Sequence, residues 1–210
     1  MSPDREPVLV LPLLYLRRVQ NQGQNPCHGV GFKIAPVSLF DQRPHPVEVD
    51  ERFHVLDVPN ILNVAYWVDF FKLVEDIQFD SIVECGVGRG RSLLTILALN
   101  WVQSVGAPRP VKPKQVWALD SFAGFPEPHP HDQSARRPRK GEWSRSPSGT
   151  YAYTPEFLLE ILNRSGLSEE TSVLNIVPGF FQQSCRTVNA GDIGILHLDA
   201  DLYESTLIPL

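Results

Sequence analysis

Ser81–Ser92 reads S-I-V-E-C-G-V-G-R-G-R-S, and its order of residue types decides the fold. Ile82 and Val83 make the short apolar run of a buried strand. An acid, Glu84, follows, and then three alternating glycines, Gly86, Gly88 and Gly90. Leu93 to Val105 contains no proline and reads as a helix. Strand, glycine turn and helix in that order open a doubly wound α/β domain, in which ligands sit at the carboxyl ends of the strands.

The glycines narrow the ligand. A backbone that turns sharply and approaches a ligand closely has no room for a Cβ. A dinucleotide fingerprint needs glycine at the first, third and sixth positions. Counted from Gly86, the sixth position is Arg91. No Gly-Lys-Ser/Thr follows, so a phosphate-cradling loop is excluded as well. The remaining pattern, acid-x-Gly-x-Gly-x-Gly, resembles motif I of class I S-adenosylmethionine methyltransferases. That resemblance implies a turn passing under the methionine and ribose of the cofactor. An ordinary tight turn between strand and helix has the same spacing, so the motif by itself leaves both readings open.

The chain has 210 residues, enough for one domain with its own core. Apolar content of 42% and charged content of 20% are those of an ordinary globular protein. A net charge of −5 argues against a general nucleic-acid or membrane surface. Cys27, Cys85 and Cys185 are widely spaced and odd in number, which excludes a disulfide framework and a CxxC zinc site and fits a reducing cytoplasm. The early apolar run, Val8 to Leu16, contains Pro12 and is too short to span a bilayer. It also lacks the flanks of a signal peptide, since Arg17-Arg18 follow the run and Asp4 and Glu6 precede it.

Residues 1–50 are proline-rich and read as an irregular N-terminal extension, with the domain proper at 51–210. Ile61, Val64, Val68, Phe71, Val74 and Ile77 recur at three- and four-residue steps, an amphipathic helix with Asn60 as its N-cap. Its aromatic residues, Tyr66, Trp67, Phe70 and Phe71, read as core. Residues 107–115 are a proline-broken connection, and Val116 to Leu119 is a second strand ending in Asp120. The polar segment 121–153 is long enough to be functional or disordered. Thr154 caps a helix with Pro155 at its first position, and Gly166 ends it. Val173 to Val177 and Ile193 to Leu198 are the third and fourth strands, the last ending in Asp199. This alternation predicts a mostly parallel sheet.

Glu84, Asp120 and Asp199 therefore come to one edge of that sheet, where a ligand site belongs. Asp120 has the position of an acid that accepts hydrogen bonds from ribose hydroxyls; a turn cap is the plainer alternative. Asp199 and Asp201 form D-A-D. Carboxylates at a strand end are hard ligands suited to Mg²⁺, with Asp199 the first candidate and Asp201 the second. The alternative for Asp201 or Glu204 is to cap a helix starting near Tyr203. His197, two residues before Asp199, is a weak candidate base beside its plainer reading as a core histidine.

Together V-E-C-G-V-G-R-G-R-S, W-A-L-D-S-F-A-G-F-P-E-P (117–128), K-G-E-W-S (140–144) and L-H-L-D-A-D-L-Y-E-S-T (196–206) resemble the macrocin O-methyltransferase (TylF-type) family over roughly residues 52–210. The resemblance implies a Rossmann-like class I methyltransferase sheet with helices on both faces. It implies S-adenosyl-L-methionine and Mg²⁺ as cofactors and a hydroxyl of a sugar or other small molecule as acceptor. It places Glu84, Gly86, Val87, Gly88 and Ser92 along the methionine and ribose, Asp120 at the ribose with Ser121 and Phe122 beside it, and Asp199 on the metal. In that family the sheet continues past D-L-Y-E-S-T to a paired acid motif and a later histidine. This chain stops at Leu210, so the expectation is a domain cut short at its C-terminus. The alternative function is a non-catalytic S-adenosylmethionine-binding or assembly subunit.

Two further features carry less. Arg136-Arg137-Pro138-Arg139-Lys140 in the long segment is either a solvated loop or a lid over the cofactor or an acidic substrate. H-P-H at 129–131 is a poor metal site without cysteines nearby. A nucleic-acid methyltransferase is opposed by the net acidity and by the lack of an Asn/Asp-Pro-Pro-Tyr/Phe site. A homo-oligomer is left open.

Overall fold

The computed structural model describes residues 61–106, 111–168 and 170–210. The expected N-terminal extension, the Asn60 cap and the prolines of 107–110 lie outside the described residues.

Four strands form one sheet: β1 (Ser81–Cys85), β2 (Gln115–Asp120), β3 (Leu174–Pro178) and β4 (Ile193–Leu198). Every pairing is parallel and the order is β3-β2-β1-β4. The chain runs outward from β1 through β2 to β3, then returns to the other side of β1. That reversal puts a crevice between the carboxyl ends of β1 and β4, the place where open α/β sheets bind ligands. β1 is buried along its whole length, the polar Ser81 and the acid Glu84 included.

Successive β1 residues face opposite sides. Ile82 joins Val116, Ala118 and Ile195 under the three longest helices, α1 (Ile61–Leu73), α2 (Arg91–Gly106) and α3 (Pro155–Arg164). Val83 and Cys85 join Leu119 and Ala190 on the opposite face, against the short α4 (Phe181–Ser184) and the turn after it. Helices on both faces are thus present, but unequally. The buried stripe of α1 is Trp67, Phe70 and Phe71, continued by Val74 just past its end; Tyr66, expected in the core with the other aromatic residues, is exposed instead. The helix ends at Leu73 and Ile77 is exposed, a rotation from the stripe predicted through Val68 and Ile77. The rings of Trp67 and Phe70 bury more apolar area than Val68 and Ile77 would in their place.

α3 follows its sequence closely. Thr154 accepts from Phe157 N, and Pro155 occupies the first turn. At the other end Gly166 N bonds Asn163 O and Leu167 N bonds Leu162 O, a left-handed glycine cap with Gly166 at φ +81°. Leu158, Ile161 and Leu162 are almost wholly buried beneath it. Among the described residues no helix is long and apolar enough to cross a membrane.

Candidate active site

The turn after β1 is built by close approach. Gly86 has φ +90°, and a Cβ there would lie 2.1 Å from the Asp199 carbonyl oxygen. Asp199 N also bonds Cys85 O at 2.9 Å, so the ends of β1 and β4 are locked together through a position only glycine fits. A Cβ on Gly90 would stand 2.6 Å from Leu158 Cδ1, so that glycine admits α3. Gly88 has nothing within 4 Å of its missing Cβ. Two of the three glycines therefore serve packing, and one faces open space.

That space is a cavity of about 400 Å³ at the carboxyl edge of the sheet. Its wall includes Glu84, Gly86, Val87, Gly88, Ser92, Asp120 and Ser121, and across the crevice Asp199 and Asp201. Residues far apart in sequence are thus gathered as expected. Phe122 is the exception among the candidate cofactor residues: its ring packs against the core under the helices and it is not part of the cavity wall.

Asp120 is more occupied than a ribose ligand need be. Its Oδ2 accepts from Val87 N at 2.8 Å and Gly88 N at 3.0 Å, and its Oδ1 accepts from Phe122 N at 2.7 Å. A carboxylate offers about four acceptor sites, so roughly one remains for a ligand. The bond to Phe122 N closes a side-chain turn and accompanies the left-handed backbone of Phe122, φ 52°. Asp120 thus clamps the glycine turn onto β2.

Glu84 and His197 are register partners on β1 and β4 and face the same side. His197 Nδ1 lies 3.1 Å from Glu84 Oε1, with both side chains buried. Trp67 of α1 meets the imidazole edge-on at 4.9 Å between centroids. Burial raises the Glu84 pKa, against the lowering influence of His197. Burial would lower the His197 pKa, but its hydrogen bond to Glu84 and the charge of Glu84 outweigh that and leave it raised. Glu84 Oε2 has no hydrogen-bond partner among the described residues. His197 is not part of the cavity wall; it stands behind Glu84. Burial also raises the pKa of Asp199, with His197 opposing and Asp201 adding to the rise.

The segment 121–153 folds back on itself. Phe125 and Glu142 are joined by backbone bonds, as are Ser144 and Tyr153. Gly124, at φ +79°, makes room, since a Cβ there would lie 2.3 Å from Glu142 O. The segment also grips the end of β4. Asp132 Oδ1 accepts from Tyr203 N at 2.7 Å, so the cap of α5 (Tyr203–Leu207) comes from a residue 71 positions away and not from Asp201 or Glu204. Asp201, left-handed at φ 60°, instead pairs with Arg136 at 3.3 Å. The Arg136 guanidinium lies 5.5 Å from the ring centroids of both Phe125 and Trp143. Among the described residues no three His, Cys, Asp or Glu side chains gather to hold a metal. Asp199 and Asp201, the two candidate metal ligands, both line the cavity, with Asp201 held by Arg136.

Sequence reasoning missed several wall residues, among them Tyr153, Trp143 and Phe180. Tyr153 is buried, yet its hydroxyl has no partner among the described residues. Its place just before the Thr154 cap was legible, but nothing local says that the loop turns its ring inward. Trp143 stands in K-G-E-W-S at φ 66°, half exposed at the cavity.

The sequence profile of the family described as macrocin-O-methyltransferase (TylF) matches residues 70–210. Among curated relatives, the 8-demethyl-8-(2,3-dimethoxy-alpha-L-rhamnosyl)-tetracenomycin-C 4'-O-methyltransferase of Streptomyces olivaceus is 26% identical over 186 residues, covering 83% of this chain and 66% of the relative. The demethyldecarbamoylnovobiocin O-methyltransferase of Streptomyces niveus is 28% identical over 139 residues, covering 64% of this chain and 49% of the relative. The chain thus spans from about half to just under two thirds of the length of these relatives. In fold it resembles the crystal structure of CalS11, a calicheamicin methyltransferase, with a TM-score of 0.59 at 22% identity over 73% of this chain and 59% of that one.

Proposed function

The chain belongs to the macrocin-O-methyltransferase (TylF) family, and from that premise we propose that it binds S-adenosyl-L-methionine and serves methyl transfer to a hydroxyl of a sugar or sugar-bearing small molecule. The observation that carries the reading is the cavity at the β1/β4 crevice, whose lining residues include two with an unpaired polar atom. Glu84 Oε2 and the Tyr153 hydroxyl are both buried without partners among the described residues. Such groups are costly unless a ligand completes them. A methionine zwitterion offers both a donor and an acceptor, and the open face of Gly88 leaves room for it. The residues present therefore fit this cofactor.

When bound, the cofactor supplies an electrophilic sulfonium methyl, and the protein's task is alignment and exclusion of water. The β1 turn, held by Asp120, supports the nucleoside side. On the acceptor side Trp143 presents an aromatic face of the kind that stacks on the C–H face of a sugar ring. Asp201 beside it offers a carboxylate to hydroxyl donors, and Arg136 holds that carboxylate in place. Asp199, in the wall with its pKa raised by burial, is the group proposed to take the acceptor's proton.

Where Mg²⁺ is bound, Asp199 would be one of its ligands in place of serving as the base. The described residues do not assemble a metal site, so no step is routed through one. A cytoplasmic location is likewise proposed, supported by the free thiols of Cys85 and Cys185.

The test is calorimetric titration with S-adenosyl-L-methionine, followed by mass spectrometry of rhamnosylated acceptors incubated with protein and cofactor. One-to-one cofactor binding and a methylated product are expected. A folded chain that binds no cofactor refutes the reading.

A further inference from the structure

We infer that His197 is a positioning residue that presents Glu84 to the α-ammonium group of the bound cofactor, so that recognition of the cofactor's amino-acid end depends on a residue that does not touch it. The inference rests on the cofactor reading above. It is carried by the juxtaposition of a buried histidine, a buried carboxylate and a cavity wall.

Glu84 is a single carboxylate with two different environments. Oε1 is held by His197 Nδ1 at 3.1 Å. Oε2 has no partner among the described residues, and Glu84 is part of the cavity wall. A carboxylate on a strand end has rotational freedom about its terminal torsion, which is broad and weakly staggered. A bond to one oxygen removes that freedom and leaves the second oxygen at a fixed place. The bond needs only that Nδ1 carry the proton, which holds for the imidazolium and for one of the two neutral tautomers.

His197 is itself held from two directions. The parallel register of β1 and β4 sets it opposite Glu84, and Trp67 closes on the ring from α1. The side chain is 6% exposed, so it has little room to turn away. A group bonding an unpaired, buried carboxylate oxygen must donate and is best cationic. In the proposed cofactor the α-ammonium meets that description, and the adenosine part offers no cation.

Two substitutions separate the bond from the packing. H197F keeps a ring against Trp67 and removes the donor. H197N keeps a donor near the Nδ1 position and removes the ring. Each full-length variant is titrated by calorimetry with two probes, S-adenosylhomocysteine, which carries the ammonium, and 5′-methylthioadenosine, which lacks it. For H197F the expected result is a loss of about tenfold or more in affinity for S-adenosylhomocysteine with little change for 5′-methylthioadenosine. For H197N both affinities are expected within roughly threefold of the parent. The inference is overturned if H197F weakens both probes in parallel, if it weakens neither, or if H197N is the variant that loses the ammonium-bearing probe. Failure of the parent protein to bind either probe refutes the cofactor reading itself, which is a different outcome from all of these.

Discussion

Asp120→Asn tests whether the carboxylate at the end of β2 serves the fold or only a ligand. The aspartate accepts three backbone N–H groups on two oxygens, from Val87, Gly88 and Phe122. An asparagine has one acceptor oxygen and one NH₂ group. It can keep the Val87 and Gly88 bonds or the Phe122 bond, and at the abandoned position it sets donor against donor. Hydrogen bonds to charged groups contribute about 1.5–3 kcal/mol each. One such bond is lost and the others lose their charge assistance, in a setting partly open to solvent. The ligand-free protein should therefore be destabilised by about 3 kcal/mol. At roughly 2–4 °C per kcal/mol for a chain of this size, the Tm falls by about 6–12 °C. Thermal unfolding followed by circular dichroism, without ligand, reads this directly. If the Tm stays within about 2 °C of the parent while cofactor affinity falls tenfold or more, the clamp is not what Asp120 does, and the ribose role stands alone.

Gly86→Ala should leave little folded protein, because the new Cβ meets the Asp199 backbone at a left-handed position. Gly88→Ala, into open space, should cost only about 1–2 kcal/mol of strain, and equal losses of the two in urea denaturation would contradict the packing described. Tyr153→Phe removes a buried hydroxyl that has no partner among the described residues, so ligand-free stability should hold or rise slightly. Its affinity for S-adenosyl-L-methionine should fall about five- to tenfold by calorimetry, roughly 1–1.4 kcal/mol; unchanged affinity would remove Tyr153 from the cofactor site. Burial pushes the Cys85 thiol far above the ordinary value of about 8.5. As pH rises through 8 to 9, iodoacetamide should label the Cys85 peptide of the urea-unfolded chain increasingly and leave that of the native chain unlabelled; native labelling that climbs in step would show the thiol is not buried.

Much of this was written locally. Strand, glycine turn and helix at Ser81–Val105 were legible because each depends on neighbours in sequence: apolar run, φ-permissive residues, proline-free helix. The same holds for Thr154-Pro155 and Gly166 at the two ends of α3, where capping bonds reach only a few residues. The acids Glu84, Asp120 and Asp199 could be assigned to one edge because parallel strands end on one side. Their employment could not. That Asp120 turns its carboxylate back onto the glycine turn depends on the spacing of β1 and β2 across the sheet. That Asp132, and not an acid beside it in sequence, caps α5 depends on where the long loop comes to rest. The roles of Gly86 and Gly90 required knowing that the Asp199 backbone and Leu158 arrive there. His197 shows the division most plainly. Its sequence neighbour Asp199 suggested chemistry, while the register of β4 on β1 placed it against Glu84. Sequence by itself determined which segments are strands and helices and which residue types the strand ends carry, because those follow from short-range sterics and hydrophobic pattern. Only the tertiary structure decided which of those residues meet, because a hydrogen bond forms between atoms about 3 Å apart whatever their separation along the chain.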